Sequence, residues 1–172
     1  MKVIYGDMLE GDWDFACHIA NCYTTFGSGI AYFIRRKFPK VYQADLDCDL
    51  NEVDKLGNYS YGDIGDGRGI YNIYAMRGLG NDGSHLGRNC SYDALADALD
   101  KICEEIEYNC SLWEGRIRVG VPRLMGCCRA GGSWTIVESI LQTMEELHPN
   151  IEFVVYDFEG EEKAQSTLPI KH

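Results

Sequence analysis

The sequence predicts an α/β domain, with a mixed central sheet of about six strands and helices on both faces. Three observations carry this reading. Apolar, strand-like runs alternate with helical patterns along the chain, the order that covers a sheet on both sides. Two glycine-rich turns, at residues 27–29 and 126–131, each follow a strand and precede a helix. With 172 residues, 45% hydrophobic and 25% charged, the chain is long enough for a sizeable core and has the composition of a soluble protein. One domain is expected over residues 1–172, with its core in about 1–158 and a polar tail in 159–172.

The elements follow in order. Residues 2–5 (KVIY) make a short strand that ends in Gly6-Asp7-Met8. An acid just past a strand end is either a turn former or a ligand contact. Residues 12–14 turn, and residues 15–20 form a strand apolar enough to be buried. Residues 30–38 have helical spacing, with Ile30, Ala31, Phe33, Ile34 and Phe38 on or near one face. Arg35, Arg36 and Lys37 in the last turn complement the helix dipole. Pro39 is expected to end the helix, and the acidic stretch 41–51 reads as irregular or weakly helical. Residues 57–69 form a hairpin around Asp66-Gly67, and GIYNIY at 69–74 is the returning strand.

Residues 78–89 form a polar, glycine-rich loop long enough to suspect a function. Ser91 is a suitable N-cap, and Leu95, Leu99, Ile102 and Ile106 carry a helix to about Asn109. Its acids Glu104, Glu105 and Glu107 read as a solvated face. Residues 116–121 are a strand and 122–133 the second loop. Residues 134–147 are a helix with Ile136, Val137, Ile140, Leu141, Met144 and Leu147 inward, and 151–156 are the last core strand.

Composition narrows the function classes. A net charge of −11 argues against a broad nucleic-acid surface. Any phosphate would then be held more by backbone N–H groups than by lysines. The sequence contains no apolar run of membrane-spanning length and no signal-peptide pattern, so a cytoplasmic protein without membrane contact is expected. The eight cysteines form no C-x-x-C pair and match no zinc spacing. Reduced thiols are expected, and no metal or cofactor is implied. Adjacent Cys127 and Cys128 lie in the second loop, where a helix N-terminus could activate a nucleophilic thiol.

The stretch HIANCYTTFGSGIA, residues 18–31, organises the chain. A strand, a glycine turn and a helix start in that order build an anion site, because the free N–H groups of the first turn and the helix dipole point into the turn. No G-K-[ST] follows, so it is not a Walker loop, and the dinucleotide fingerprint is not met. A second such turn allows a phosphate or diphosphate to lie between the two. His18, at a strand end, is either a satisfied structural residue or a candidate general acid/base. Asn21 offers a donor and an acceptor suited to a sugar hydroxyl or a carbonyl. No G-x-S-x-G elbow is present.

These residues resemble the macro domain family. HIANCYTTFGSGIAYFIRRKFPKVY is similar to its first ligand loop and helix, and VPRLMGCCRAGGSWTIVESIL to its second. YGDML resembles the family's G-D start, and NCSYDALADAL the capped helix between the loops. The resemblance covers about residues 1–158 and is nearest to the branch of the yeast ADP-ribose 1″-phosphate phosphatase with its phage and bacterial relatives. It implies a three-layer α/β/α fold and ADP-ribose or ADP-ribose 1″-phosphate as partner, in a monomer. It further implies that Asp7 accepts from the adenine amine and that the Met8 backbone contacts adenine. Asn21 would reach the distal ribose. Gly27, Ser28, Gly29 and Ile30 would form one diphosphate wall, and Gly126, Cys127, Cys128, Arg129, Ala130 and Gly131 the other. Phe158, with Tyr156 second, would lie against adenine.

Three departures mark this chain. Cys128 and Arg129 stand where glycine and leucine are usual, and Ser133 where aspartate is frequent. No lysine lies in residues 73–77, where a related branch carries a catalytic lysine. The activity this implies is hydrolysis of ADP-ribose 1″-phosphate to ADP-ribose and phosphate, with His18 and Asn21 as catalytic residues. The alternatives are a hydrolase that removes ADP-ribose from protein or nucleic acid, a non-catalytic ADP-ribose reader, and a phosphate-ligand domain of another kind.

Overall fold

A computed structural model describes residues 1–78 and 88–158. Six strands form one sheet: β1 (Lys2–Tyr5), β2 (Phe15–Asn21), β3 (Tyr59–Gly65), β4 (Arg68–Met76), β5 (Ile117–Pro122) and β6 (Ile151–Asp157). Their spatial order is β1-β6-β5-β2-β4-β3. All neighbouring pairs are parallel except β3–β4, the hairpin turned at Asp66-Gly67. The sheet is therefore mixed, as the sequence predicts, and β1, β2, β4, β5 and β6 share one carboxyl edge.

The two-residue period of the strands sorts their side chains into two cores. Cys17, Ile19, Ile73, Val119, Phe153 and Val155 face α4 (Tyr92–Asn109) and α5 (Trp134–Leu147). Ala16, Ala20, Ile70, Tyr74, Val154 and Tyr156 face the opposite side, covered by α1 (Gly29–Lys37), α2 (Pro39–Leu46) and the 3₁₀ turn Met8–Glu10. Ser91 caps α4, its Oγ accepting from the Ala94 N–H at 3.2 Å. Leu95, Leu99, Ile102 and Ile106 are all buried.

Several expectations need correction. Pro39 ends α1 but also opens α2 at its first position, where its missing N–H costs nothing. The stretch 41–51 is thus partly regular helix. Asn51 then caps the short α3 (Glu52–Lys55), accepting from the Val53 and Asp54 N–H groups. Phe33, Ile136 and Leu147 are exposed, at 59%, 43% and 62%. Each sits beside the buried stripe of its helix, and the sheet reaches only the centre of that stripe. Glu105 and Glu107 are half-buried: Glu105 accepts from Tyr59 and Tyr71, and Glu107 bonds His148. Residues 79–87 of the suspected loop and the tail 159–172 lie outside the described residues.

Candidate functional site

The turn at Gly6-Asp7-Met8 and both glycine loops leave the carboxyl ends of parallel strands, β1, β2 and β5, where ligands of open α/β sheets bind. Two cavities open along this edge. The larger, about 670 Å³, is lined by Asp7, Met8, Gly29, Ile30, Phe33, Leu124, Cys128 and Phe158, with Arg36, Lys37 and Arg123 on its rim. The smaller, about 180 Å³, is lined by Ile19, Ala20, Asn21, Thr25, Ser28, Ala31, Met76 and Arg129. Ser28 and Gly29 are chain neighbours that line different cavities, as are Cys128 and Arg129. The two glycine loops therefore form the divide between the cavities. A groove of about 740 Å³ beside Thr24, Leu50 and Lys55 is larger but open, and neither glycine loop lines it.

Local chemistry builds each wall. Asp7 follows β1 and caps the 3₁₀ turn, its Oδ1 accepting from the Leu9 N–H at 2.9 Å. Ser28 precedes α1 with extended backbone and no side-chain capping bond. No capping side chain therefore occupies the first-turn N–H groups of α1. In the second loop Gly126 has φ +74°, and a Cβ there would meet Ile19 Cδ1 at 2.8 Å and Cys90 Sγ at 3.0 Å. Both the turn and the close approach require glycine. The Gly132 N–H closes the loop onto the Gly126 carbonyl at 2.9 Å. The Ala130 carbonyl accepts from the Asn89 and Cys90 N–H groups, tying the loop to the chain before α4.

Asn21 ends β2 with its carboxamide held on both sides. Nδ2 donates to Thr25 Oγ1 at 2.7 Å and to the Thr25 carbonyl at 3.2 Å, while Oδ1 accepts from the Tyr23 N–H at 2.9 Å. Arg129 borders the same recess and makes no ion pair among the described residues. Arg123 pairs with Asp157 at 3.4 Å, and Lys37 with Glu10.

The structure gathers some of the expected residues and disperses others. Asp7, Met8, Gly29, Ile30, Cys128 and Phe158 line the larger cavity, and Asn21, Ser28 and Arg129 the smaller. Gly27, Gly126, Cys127, Ala130 and Gly131 line neither cavity. Gly126 and Gly131, with positive φ, shape the loop, while Ala130 is buried beneath it. Cys127 packs against the core, and burial together with the neighbouring Cys90 and Cys128 pushes its thiol up to about 11. Burial thus outweighs any helix-terminus activation of Cys127. All eight cysteines are free thiols. Tyr156, the second aromatic considered for adenine, borders the cleft but is 5% exposed and mostly core.

His18 departs most from the expected placement. It is fully buried and lines neither cavity. It lies opposite Asn72 in the parallel β2–β4 register, and its Nε2 is 2.7 Å from Asn72 Oδ1. Asn72 Nδ2 donates elsewhere, to the Val41 carbonyl and Ser60 Oγ, so Oδ1 accepts and the His18 proton sits on Nε2. Nδ1 is buried without a partner, and the Phe26 ring packs edge-on at 5.3 Å. Burial lowers the His18 pKa to about 4, with the Asn72 hydrogen bond and the Asp45 charge opposing in part. Burial thus favours the neutral imidazole and keeps His18 out of both cavities.

Sequence reasoning missed Phe33 and Leu124 on the larger cavity, and Thr25 and Met76 on the smaller. Phe33 carried a signal, as an aromatic one residue off the buried Ile34 stripe. Leu124 carried none. Among the described residues no cluster of three His, Cys, Asp or Glu side chains is arranged to hold a metal, and no helix is long and apolar enough to cross a membrane.

No protein-family model matches the sequence. The chain is 30% identical over 168 residues to an uncharacterised 17.5 kDa protein of Enterobacteria phage T4, from the tk–vs intergenic region; the match covers 92% of this chain and 97% of the phage protein. It is 24% identical over 175 residues to the DNA ADP-ribosyl glycohydrolase of Thermus aquaticus, covering 99% of this chain but 45% of that protein, so it spans less than half of that relative. Among solved structures, the macrodomain of Mycobacterium tuberculosis DarG superposes with a TM-score of 0.67 at 24% identity, over 90% of this chain and 96% of that one. Thermosipho africanus DarTG in complex with ADP-ribose superposes with a TM-score of 0.62 at 16% identity, over 91% of this chain and 41% of that one.

Proposed function

Because the chain belongs to the same family as the phage T4 17.5 kDa protein and has the macrodomain fold, we propose that it binds ADP-ribose and hydrolyses the bond between the 1″ position of the distal ribose and a leaving group, with ADP-ribose 1″-phosphate as substrate. The observation that carries this is the pair of cavities meeting across two glycine loops. Adenosine takes the larger cavity, where Asp7 accepts from the exocyclic amine and Phe158 packs on the base. The diphosphate crosses the divide, where uncapped N–H groups of α1 favour an anion. The distal ribose enters the smaller recess beside Asn21. Likeness in fold to Thermosipho africanus DarTG, whose structure was solved in complex with ADP-ribose, supports the same ligand here.

The chemistry falls to the groups around the recess. Asn21 orients the ribose and the attacking water. Arg129 stands beside the 1″ substituent, where a guanidinium meets a phosphate with paired N–H donors and offsets the departing charge. With His18 enclosed, its titration does not shape the rate near neutral pH.

A second reading, removal of ADP-ribose from nucleic acid, is favoured by the similarity to the Thermus aquaticus glycohydrolase. It uses the same ADP-ribose site with another leaving group. Parallel incubation with ADP-ribose 1″-phosphate, ADP-ribosylated single-stranded DNA and ADP-ribosylated protein decides between them. Phosphate release is expected, reduced by about 10²–10³ in Arg129→Ala, the range for losing one charge-stabilising donor. Release from DNA alone selects the second reading. Tight ADP-ribose binding without turnover reduces the protein to a reader, and absence of binding overturns both.

A further inference from the structure

Beyond Asn21 the chain doubles back through Thr24, whose backbone lies in the left-handed region at φ 59°. A β-branched residue is disfavoured there, so its neighbours must hold it. Lys55 Nζ donates to Thr24 Oγ1 at 2.9 Å and to Asp45 Oδ1 at 2.7 Å. The ion pair is buried at both ends, with side chains 4% and 0% exposed. The Tyr74 hydroxyl donates to the same Asp45 oxygen at 2.6 Å. A chain of bonds thus runs from β4 through α2 and the end of α3 to the tip of the loop. Desolvation offsets most of the attraction in a buried ion pair, so such a pair does more to fix geometry than to add stability. The geometry it fixes is that of Asn21, because Tyr23 and Thr25, the residues that hold the Asn21 carboxamide, flank Thr24 on either side.

We infer that Lys55 is a positioning residue for Asn21: its ammonium, locked by Asp45, pins Thr24 and so aims the carboxamide at the smaller recess. The inference rests on the reading of that recess as the distal-ribose subsite. Lys55 itself touches no ligand. The groove beside Lys55 then belongs to the support of the ribose loop.

Thr24→Val tests this, because it keeps the shape and branching of threonine and leaves the Lys55–Asp45 pair intact while removing the acceptor. Thr24→Ser restores the hydroxyl. Calorimetry with ADP-ribose and with ADP, which lacks the distal ribose, reads the subsite directly. Thr24→Val is expected to lower the preference for ADP-ribose over ADP by about tenfold, the scale of one lost hydrogen bond to a charged group. ADP affinity should stay within about twofold, and Thr24→Ser should match wild type. Loss of fold stability alone would lower the melting temperature and leave the preference unchanged. Amide exchange of the unliganded protein gives a second reading. The Tyr23 N–H should lose at least about tenfold of its protection in Thr24→Val while amides of β2 keep theirs. Retention of both the preference and the Tyr23 protection overturns the inference. If wild type binds ADP and ADP-ribose equally, the ribose reading fails, and Tyr23 exchange alone decides whether Lys55 aims Asn21.

Discussion

Replacing His18 by glutamine should change how stability depends on pH, in a direction that the structure dictates. Glutamine presents its Nε2 about where histidine does, so the bond to Asn72 Oδ1 is kept without a titrating group. In the folded protein His18 has a pKa of about 4, chiefly because burial opposes its charge, against about 6.5 when unfolded. Between these values the unfolded chain binds a proton that the native protein refuses. Stability must therefore rise with pH across this window. The full penalty, reached below about pH 4, is about 3 kcal/mol at 1.36 kcal/mol per unit. At pH 5 it is about 2 kcal/mol, and above pH 7 it vanishes. The assay is urea unfolding of wild type and His18→Gln at several pH values from 8 down to 5. Any constant offset from the substitution cancels when differences are compared. His18→Gln should gain about 2 kcal/mol on wild type between pH 8 and pH 5. Parallel stability curves would refute the reasoning and mean that His18 is protonated, or reaches solvent, in the native state.

His148 should behave with the opposite sign. Burial lowers its pKa, but hydrogen bonds and charge from Glu107 at 3.0 Å and Asp100 at 2.8 Å outweigh this, so the folded value is raised. Its stabilisation is complete below the unfolded pKa of about 6.5 and is lost as pH rises through the folded value. His148→Gln should thus be most destabilising near pH 6 and least near pH 9 in the same urea assay; a cost that grows with pH would contradict the assignment. Asp7→Ala should weaken ADP-ribose by about 1.5–3 kcal/mol, the scale of a hydrogen bond to a charged group. It also removes the cap on the Leu9 N–H, so Asp7→Asn, which keeps an acceptor for that bond, separates ligand recognition from local folding. If Asn binds ADP-ribose like wild type while Ala does not, Asp7 is only a cap.

Much of the fold was legible in the sequence because its determinants are local. The apolar run of β2, the spacing of Leu95, Leu99, Ile102 and Ile106, the Ser91 cap and the Asp66-Gly67 turn each act within a few residues. The site was legible in outline for the same reason. Glycines followed by a helix start expose backbone N–H groups whatever surrounds them, and Ser28, Gly29 and Ile30 do line the two cavities. Tertiary structure decided which side chains reach the two cavities. In β2, residues 17–21 alternate between faces, yet nothing local says that Phe26 folds back over His18 while Asn21 stays at the edge. Phe33 and Ile34 are adjacent apolar residues of one helix; contact with the sheet buries the second and leaves the first for the cleft. Nothing local marks Lys55 and Asp45 for burial; α2 and α3 fold against β4 and enclose them. Local chemistry chose the elements, because backbone hydrogen bonding and periodicity depend on near neighbours. Burial is set by segments that meet only in the folded chain, so the tertiary structure decided which of these polar groups are enclosed and which line a cavity.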